Sequence, residues 1–64
     1  MTHNQLAAAR RVMSQFPMLR ITKSGDILTP VKDGVAGTSV EVTDAMATFE
    51  LEKQLRASCH ALNG

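Results

Sequence analysis

Pro17 constrains this chain more than any other residue. A proline denies its predecessor the αR conformation, so the amphipathic segment before it has to stop there. Residues 3–16 repeat their apolar side chains at helical spacing, whereas residues 18–31 alternate with period two. One short chain must therefore combine helix with sheet. At 64 residues it has room for a single domain, residues 1–64. Surface scaling gives a chain of this size a folded accessible area of about 4,000 Å², with about 60% of the unfolded surface buried.

The first segment opens on Thr2-x-x-Gln5, the spacing of a capping box, with Asn4 as a competing cap. At about 100° per residue, Leu6, Ala9, Val12, Met13 and Phe16 share one stripe, and Arg11, Gln15, Ala8 and Ser14 fall outside it. After Pro17, Leu19–Thr22 and Ile27–Val31 flank the turn residues Lys23-Ser24-Gly25-Asp26, which predicts a β-hairpin. With Ser24-Gly25 as the loop, Ile21 opposes Leu28, and Leu19, Ile21, Leu28 and Pro30 share the covered face. Pro30 donates no backbone hydrogen bond and is expected at an edge or a strand end. Residues 32–38 read as loop, with Asp33-Gly34 as a turn dipeptide.

Residues 39–43 are open to two readings. Val40-Glu41-Val42 alternates as a short third strand would, with Thr43 capping the next helix. Alternatively, Thr38 and Glu41 form a capping box and the helix starts at 39. The strand reading places the second helix over 44–62, about 28 Å long, with Asp44 at the positive end of its dipole and Asn63-Gly64 as its stop. Ala47, Leu51, Leu55, Cys59 and Leu62 form its main stripe, and Glu52 and Arg56 are spaced for an ion pair. The fold class is thus α+β: helix, β-hairpin with or without a short third strand, then a long C-terminal helix.

Composition narrows the function. Aromatic residues are 3% of the chain, namely Phe16 and Phe49, with neither Trp nor Tyr. A single cysteine excludes an internal disulfide and suits a reducing compartment. The apolar run Leu6–Ala9 ends at Arg10-Arg11, far short of a signal sequence or a membrane span, so the expected location is cytoplasmic. Cys59 and His60 are helix neighbours that diverge by about 100°, so they do not clamp a metal, and His3 would join them only if the termini met. Asp26 and Asp33 sit at turns, Glu50 and Glu52 diverge, and the four glycines lack phosphate-loop spacing. The expectation is a protein that is not an enzyme, with no catalytic, cofactor or metal residues.

What remains is binding. Met46 and Phe49 lie off the main stripe of the second helix, so with Lys53 and Arg56 they are candidate partner-binding residues. That second stripe meets either another part of this chain or another molecule, and a small core favours a homodimer through this helix. The basic half offers Arg10, Arg11, Arg20 and Lys23 as contacts for nucleic acid or an acidic surface. The leading reading is a small interaction protein that binds and regulates or inhibits a host or cognate protein, as phage and plasmid accessory proteins do. A nucleic-acid-binding regulator is the alternative.

The order helix, hairpin, helix and the opening Leu6-Ala7-Ala8-Ala9-Arg10 resemble the head-completion proteins of tailed phages of the gpW type. The resemblance covers the layout and that pentapeptide, and the hairpin loop and the Gly34–Gly37 connection here are longer than the family pattern. It implies a third reading, a virion assembly protein.

Overall fold

Helix α1 (His3–Met13) starts at the capping box that the sequence spells out. The Gln5 N–H donates to Thr2 Oγ1 at 3.1 Å, and the Thr2 N–H donates back to Gln5 Oε1 at 2.9 Å. The helix ends before residue 16. Gln15 and Phe16 donate to the carbonyls of Val12 and Met13, three residues back, and these tighter turns wind the chain down ahead of Pro17. The buried stripe is also rotated from the expected one. Gln5, Ala8, Ala9 and Val12 are buried, whereas Leu6 and Met13 are only half-buried at its flank. Ala8, which the spacing placed outside the stripe, is fully enclosed.

This computed structural model describes residues 1–63, so Gly64 of the expected Asn63-Gly64 stop lies outside the described residues. After α1 come β1 (Arg20–Ser24), β2 (Ile27–Lys32), β3 (Val35–Ala36), β4 (Val40–Glu41) and α2 (Thr48–Asn63). The chain is a small α+β domain in the expected order: helix, antiparallel sheet, C-terminal helix.

The first hairpin turns on Gly25-Asp26, one residue later than expected, and pairs Ser24 with Ile27 and Ile21 with Pro30. Gly25 stands at φ +59° at the first central position, as a type II′ turn requires. The register is displaced by two residues from the expected one, and side chains alternate with period two. The face assignment therefore survives: Leu19, Leu28 and Pro30 are buried and Ile21 is half-buried.

Residues 32–38 are not a plain loop. Asp33 and Gly34, at φ +51° and +81°, form a type I′ turn that pairs Lys32 with Val35 and Val31 with Ala36. A Cβ at Gly34 would meet nothing within 4 Å, so a substitution there costs backbone strain alone. Gly34→Ala should destabilise by about 1 kcal/mol. The corresponding fall in Tm is about 4–8 °C in a thermal melt, and an unchanged Tm would contradict this account of the turn.

Beyond Ala36 the strand is interrupted. Continuing the β3 register would place Ser39 opposite Leu28, but Val40 stands there, so the β3–β4 side holds one extra residue in a β-bulge. The bulge explains Pro30, which lies in the central strand rather than at an edge. Gly37 N–H donates to the Pro30 carbonyl at 2.8 Å. The N and O of one strand residue point the same way, so the missing N–H of Pro30 faces the interruption, where no regular partner is lost.

Helix α2 begins at Thr48 and not at residue 44; its 16 residues span about 24 Å. Thr43 does not cap it. Instead Met46 N–H turns back to the Thr43 carbonyl, and the first helical bond runs from Leu51 to the exposed Ala47. Asp44 therefore sits outside the helix, where its carboxylate lies 3.4 Å from the Met1 ammonium, with Asp26 at 3.1 Å.

Leu51, Leu55 and Cys59 of α2 are fully buried in one cluster with Leu28 and Val40 of the sheet, Val42 just beyond β4, and Ala8 and Val12 of α1. The helices run parallel: Gln5 meets Met46, Arg11 meets Glu52, Gln15 meets Arg56 and Phe16 meets His60. The folded chain exposes 4090 Å², close to the scaling value for a folded chain of this size.

Candidate functional site

The structure offers two surface features and one internal polar cluster. The cluster is built on Gln5, whose side chain is 1% exposed. Its Nε2 donates to the carbonyl of Thr43 at 2.8 Å and to that of Met46 at 2.9 Å, while Oε1 accepts from Thr2. Every capacity used here serves the backbone. Gln5 therefore locks the start of α1 onto the segment that leads into α2, and it is a structural group. The capping spacing identified its local role, but its reach to residues 43 and 46 is a long-range contact with no sequence signal.

One surface feature is a shallow groove of about 360 Å³ between the bulged β3–β4 edge and α2. Thr38, Ser39, Val40, Gln54, Ala57, Ser58 and Ala61 line it, so no titratable side chain faces it. The Ser58 hydroxyl donates to the Thr38 carbonyl at the bulge and fastens that edge to the helix.

The other feature is the exposed side of the α1–α2 pair, where the sequence placed its candidates. Phe49 in the first turn of α2 is 71% exposed. Lys53 is exposed one turn further on, and Arg56 is half-buried, its Nε donating to Gln15 Oε1 at 3.3 Å. Met46 lies ahead of the helix, half-buried against the core. It shares no open stripe with Phe49, because the turn at 43–46 folds it inward. The expected Glu52–Arg56 pair does not form: Glu52 Oε1 instead lies 3.6 Å from Arg11 Nε across the helix seam.

The basic candidates are not gathered into one patch. Arg10 is exposed on α1, and Arg11 is held at the seam. Arg20 and Lys23 are three apart on β1, so they project from opposite faces of the sheet.

Cys59 and His60 diverge as the helix geometry requires. Cys59 is buried, with Sγ 3.7 Å from Met13 Sδ, while His60 is exposed and meets Phe16 edge-on at 5.0 Å. Parallel helices leave His3 at the opposite end of the pair from His60. Burial pushes the Cys59 thiol above its ordinary value, which depletes the reactive thiolate. In the folded chain, labelling by a thiol reagent at pH 8 should proceed only through opening of the core, much more slowly than in denaturant. Equal rates in both conditions would place Cys59 outside the core.

Among the described residues, no helix is long and apolar enough to cross a membrane. Comparison with protein-family models, with curated proteins and with solved structures finds no match to this chain.

Proposed function

We propose that this chain is a non-enzymatic interaction protein that binds and regulates or inhibits another protein, with Phe49 as the anchor. The exposure of Phe49 carries the reading. Full burial of a phenylalanine stabilises by about 1.5–3 kcal/mol, a large amount for a domain this size. This chain has two phenylalanines and neither Trp nor Tyr; Phe16 is buried in the core and Phe49 projects from it. A large ring left in water beside half-buried neighbours is the kind of group that becomes an interface hot spot.

Phe49→Asp should change folding stability by no more than about 0.5 kcal/mol, because the ring makes little of the core. A photo-crosslinking residue at position 49, introduced in cells, should yield a discrete cross-linked protein, and Asp at 49 should abolish that partner's binding. A cross-linker at Asp33, on the far turn, serves as the control. If position 49 yields no adduct, or none beyond the control, the reading fails. A homodimer is a further occupant of the same face, and an adduct at twice the chain's mass would identify it. Nucleic-acid binding draws less support, because Arg20 and Lys23 project apart and Arg11 is paired with Glu52.

A further inference from the structure

We infer that the outer face of the α1–α2 pair docks an acidic protein segment, whose carboxylates meet Lys53 and Arg56 while an apolar side chain packs on Phe49. This rests on the interaction reading above and names the partner's chemistry. On α2, Phe49, Lys53 and Arg56 fall within an arc of about 60°, one ridge along the helix. The Gln15–Arg56 and Arg11–Glu52 contacts place the α1 segment alongside that ridge, so Arg11 extends the same face.

The charges are sorted. Three of the seven Lys and Arg residues, Arg11, Lys53 and Arg56, lie on this face, and Glu52 is its one carboxylate among the described residues. The other five acids are placed elsewhere. Asp26 and Asp44 hold the Met1 ammonium, Asp33 is in the β2–β3 turn, Glu41 is on β4, and Glu50 bonds Gln54 on the groove side of α2. A chain of formal net charge +1 thus presents one cationic face, and an exposed ring lies at its end. Complementarity to that face calls for spaced carboxylates beside an apolar group.

A phosphate backbone fits less well. Glu52 stands within the cation row and repels a continuous anion track. Phe49 is a lone ring where successive bases need several, and Arg20 and Lys23 lie off this face on β1.

The test uses the full chain with two labelled probes of matched charge. One is a synthetic peptide of Glu residues interspersed with Leu; the other is a single-stranded oligothymidylate. Anisotropy titrations at low and at physiological salt are run on the wild type, Phe49→Ser and the double variant Lys53→Glu/Arg56→Glu, with melts confirming that each variant folds. The peptide should bind saturably at low salt, more than about tenfold tighter than the oligonucleotide, and lose more than about tenfold in each variant. Absence of saturable peptide binding overturns the inference, as does an oligonucleotide that binds equally well. Peptide affinity indifferent to charge reversal also overturns it. If the cross-linked partner of position 49 depends on Phe49 but ignores Lys53→Glu/Arg56→Glu, the acidic-partner inference falls and the interaction reading stands. If position 49 captures nothing, the interaction reading itself falls.

Discussion

Gln5→Leu should cost about 2–4 kcal/mol, a large share of the stability of a domain this size. The leucine keeps most of the volume but strands the Met46 carbonyl and the Thr2 N–H, and leaves the Thr43 carbonyl with only its bond from Met46 N–H. An unsatisfied buried polar group costs about 1–3 kcal/mol. Native domains of 64 residues hold only roughly 3–10 kcal/mol in all. The expected fall in Tm is about 10–25 °C. Gln5→Glu separates the donor role from the volume. Its carboxylate would face two carbonyls, and both burial and that repulsion hold its folded-state pKa above the unfolded value. The favourable contribution of the protonated acid, which regains one donor, is therefore present at acidic pH and lost as pH rises through the raised pKa. Chemical denaturation at pH 4 and pH 7 should show the variant closest to wild type at the lower pH. Two variants with wild-type stability would remove Gln5 from the account of how α1 is fastened.

Leu51→Ala and Leu55→Ala should each cost about 2–5 kcal/mol. Both side chains are fully buried where the two helices meet the sheet. Removing three carbons there leaves a cavity that a core built from Leu, Val, Ala and a single Phe has few large neighbours to fill. Either substitution brings the chain close to its total stability, so a substantially unfolded population near room temperature is expected. Circular dichroism during a denaturant titration reads the shift directly. A midpoint unchanged within error would mean that α2 does not pack as described. The exposed Phe49→Asp variant is the internal contrast, since its midpoint should barely move.

Most of the architecture was legible in local patterns. The Thr2–Gln5 spacing announced the start of α1, and the alternation after Pro17 announced the first hairpin and its buried face. The Asp33-Gly34 dipeptide was a legible signal for the second hairpin that the loop reading passed over, because only two residues of β3 follow it. Other features were not local. The start of α2 looked four residues too early because Asp44 suits a helix N-terminus, while the turn at 43–46 is held by Gln5 from the other end of the chain. Glu52 and Arg56 had the right spacing to pair with each other, but Glu52 found Arg11 on α1 and Arg56 found Gln15 just beyond its end, which no spacing along α2 reveals. Of the candidate contact residues, Phe49 and Lys53 are exposed as the helical arithmetic implied. Met46 is not on their ridge, because it precedes the helix.

The parallel run of α1 and α2 has an electrical consequence. In an antiparallel pair the peptide dipoles oppose each other; here they add, with both amino-terminal ends near Asp44 and both carboxyl-terminal ends near His60. A molecule whose formal charges nearly cancel thus carries a directed field along its helices. The two ends of the pair therefore differ in sign where their backbone groups are unpaired: free N–H groups face the Asp44 end and free carbonyls the His60 end, each acting within its terminal turn.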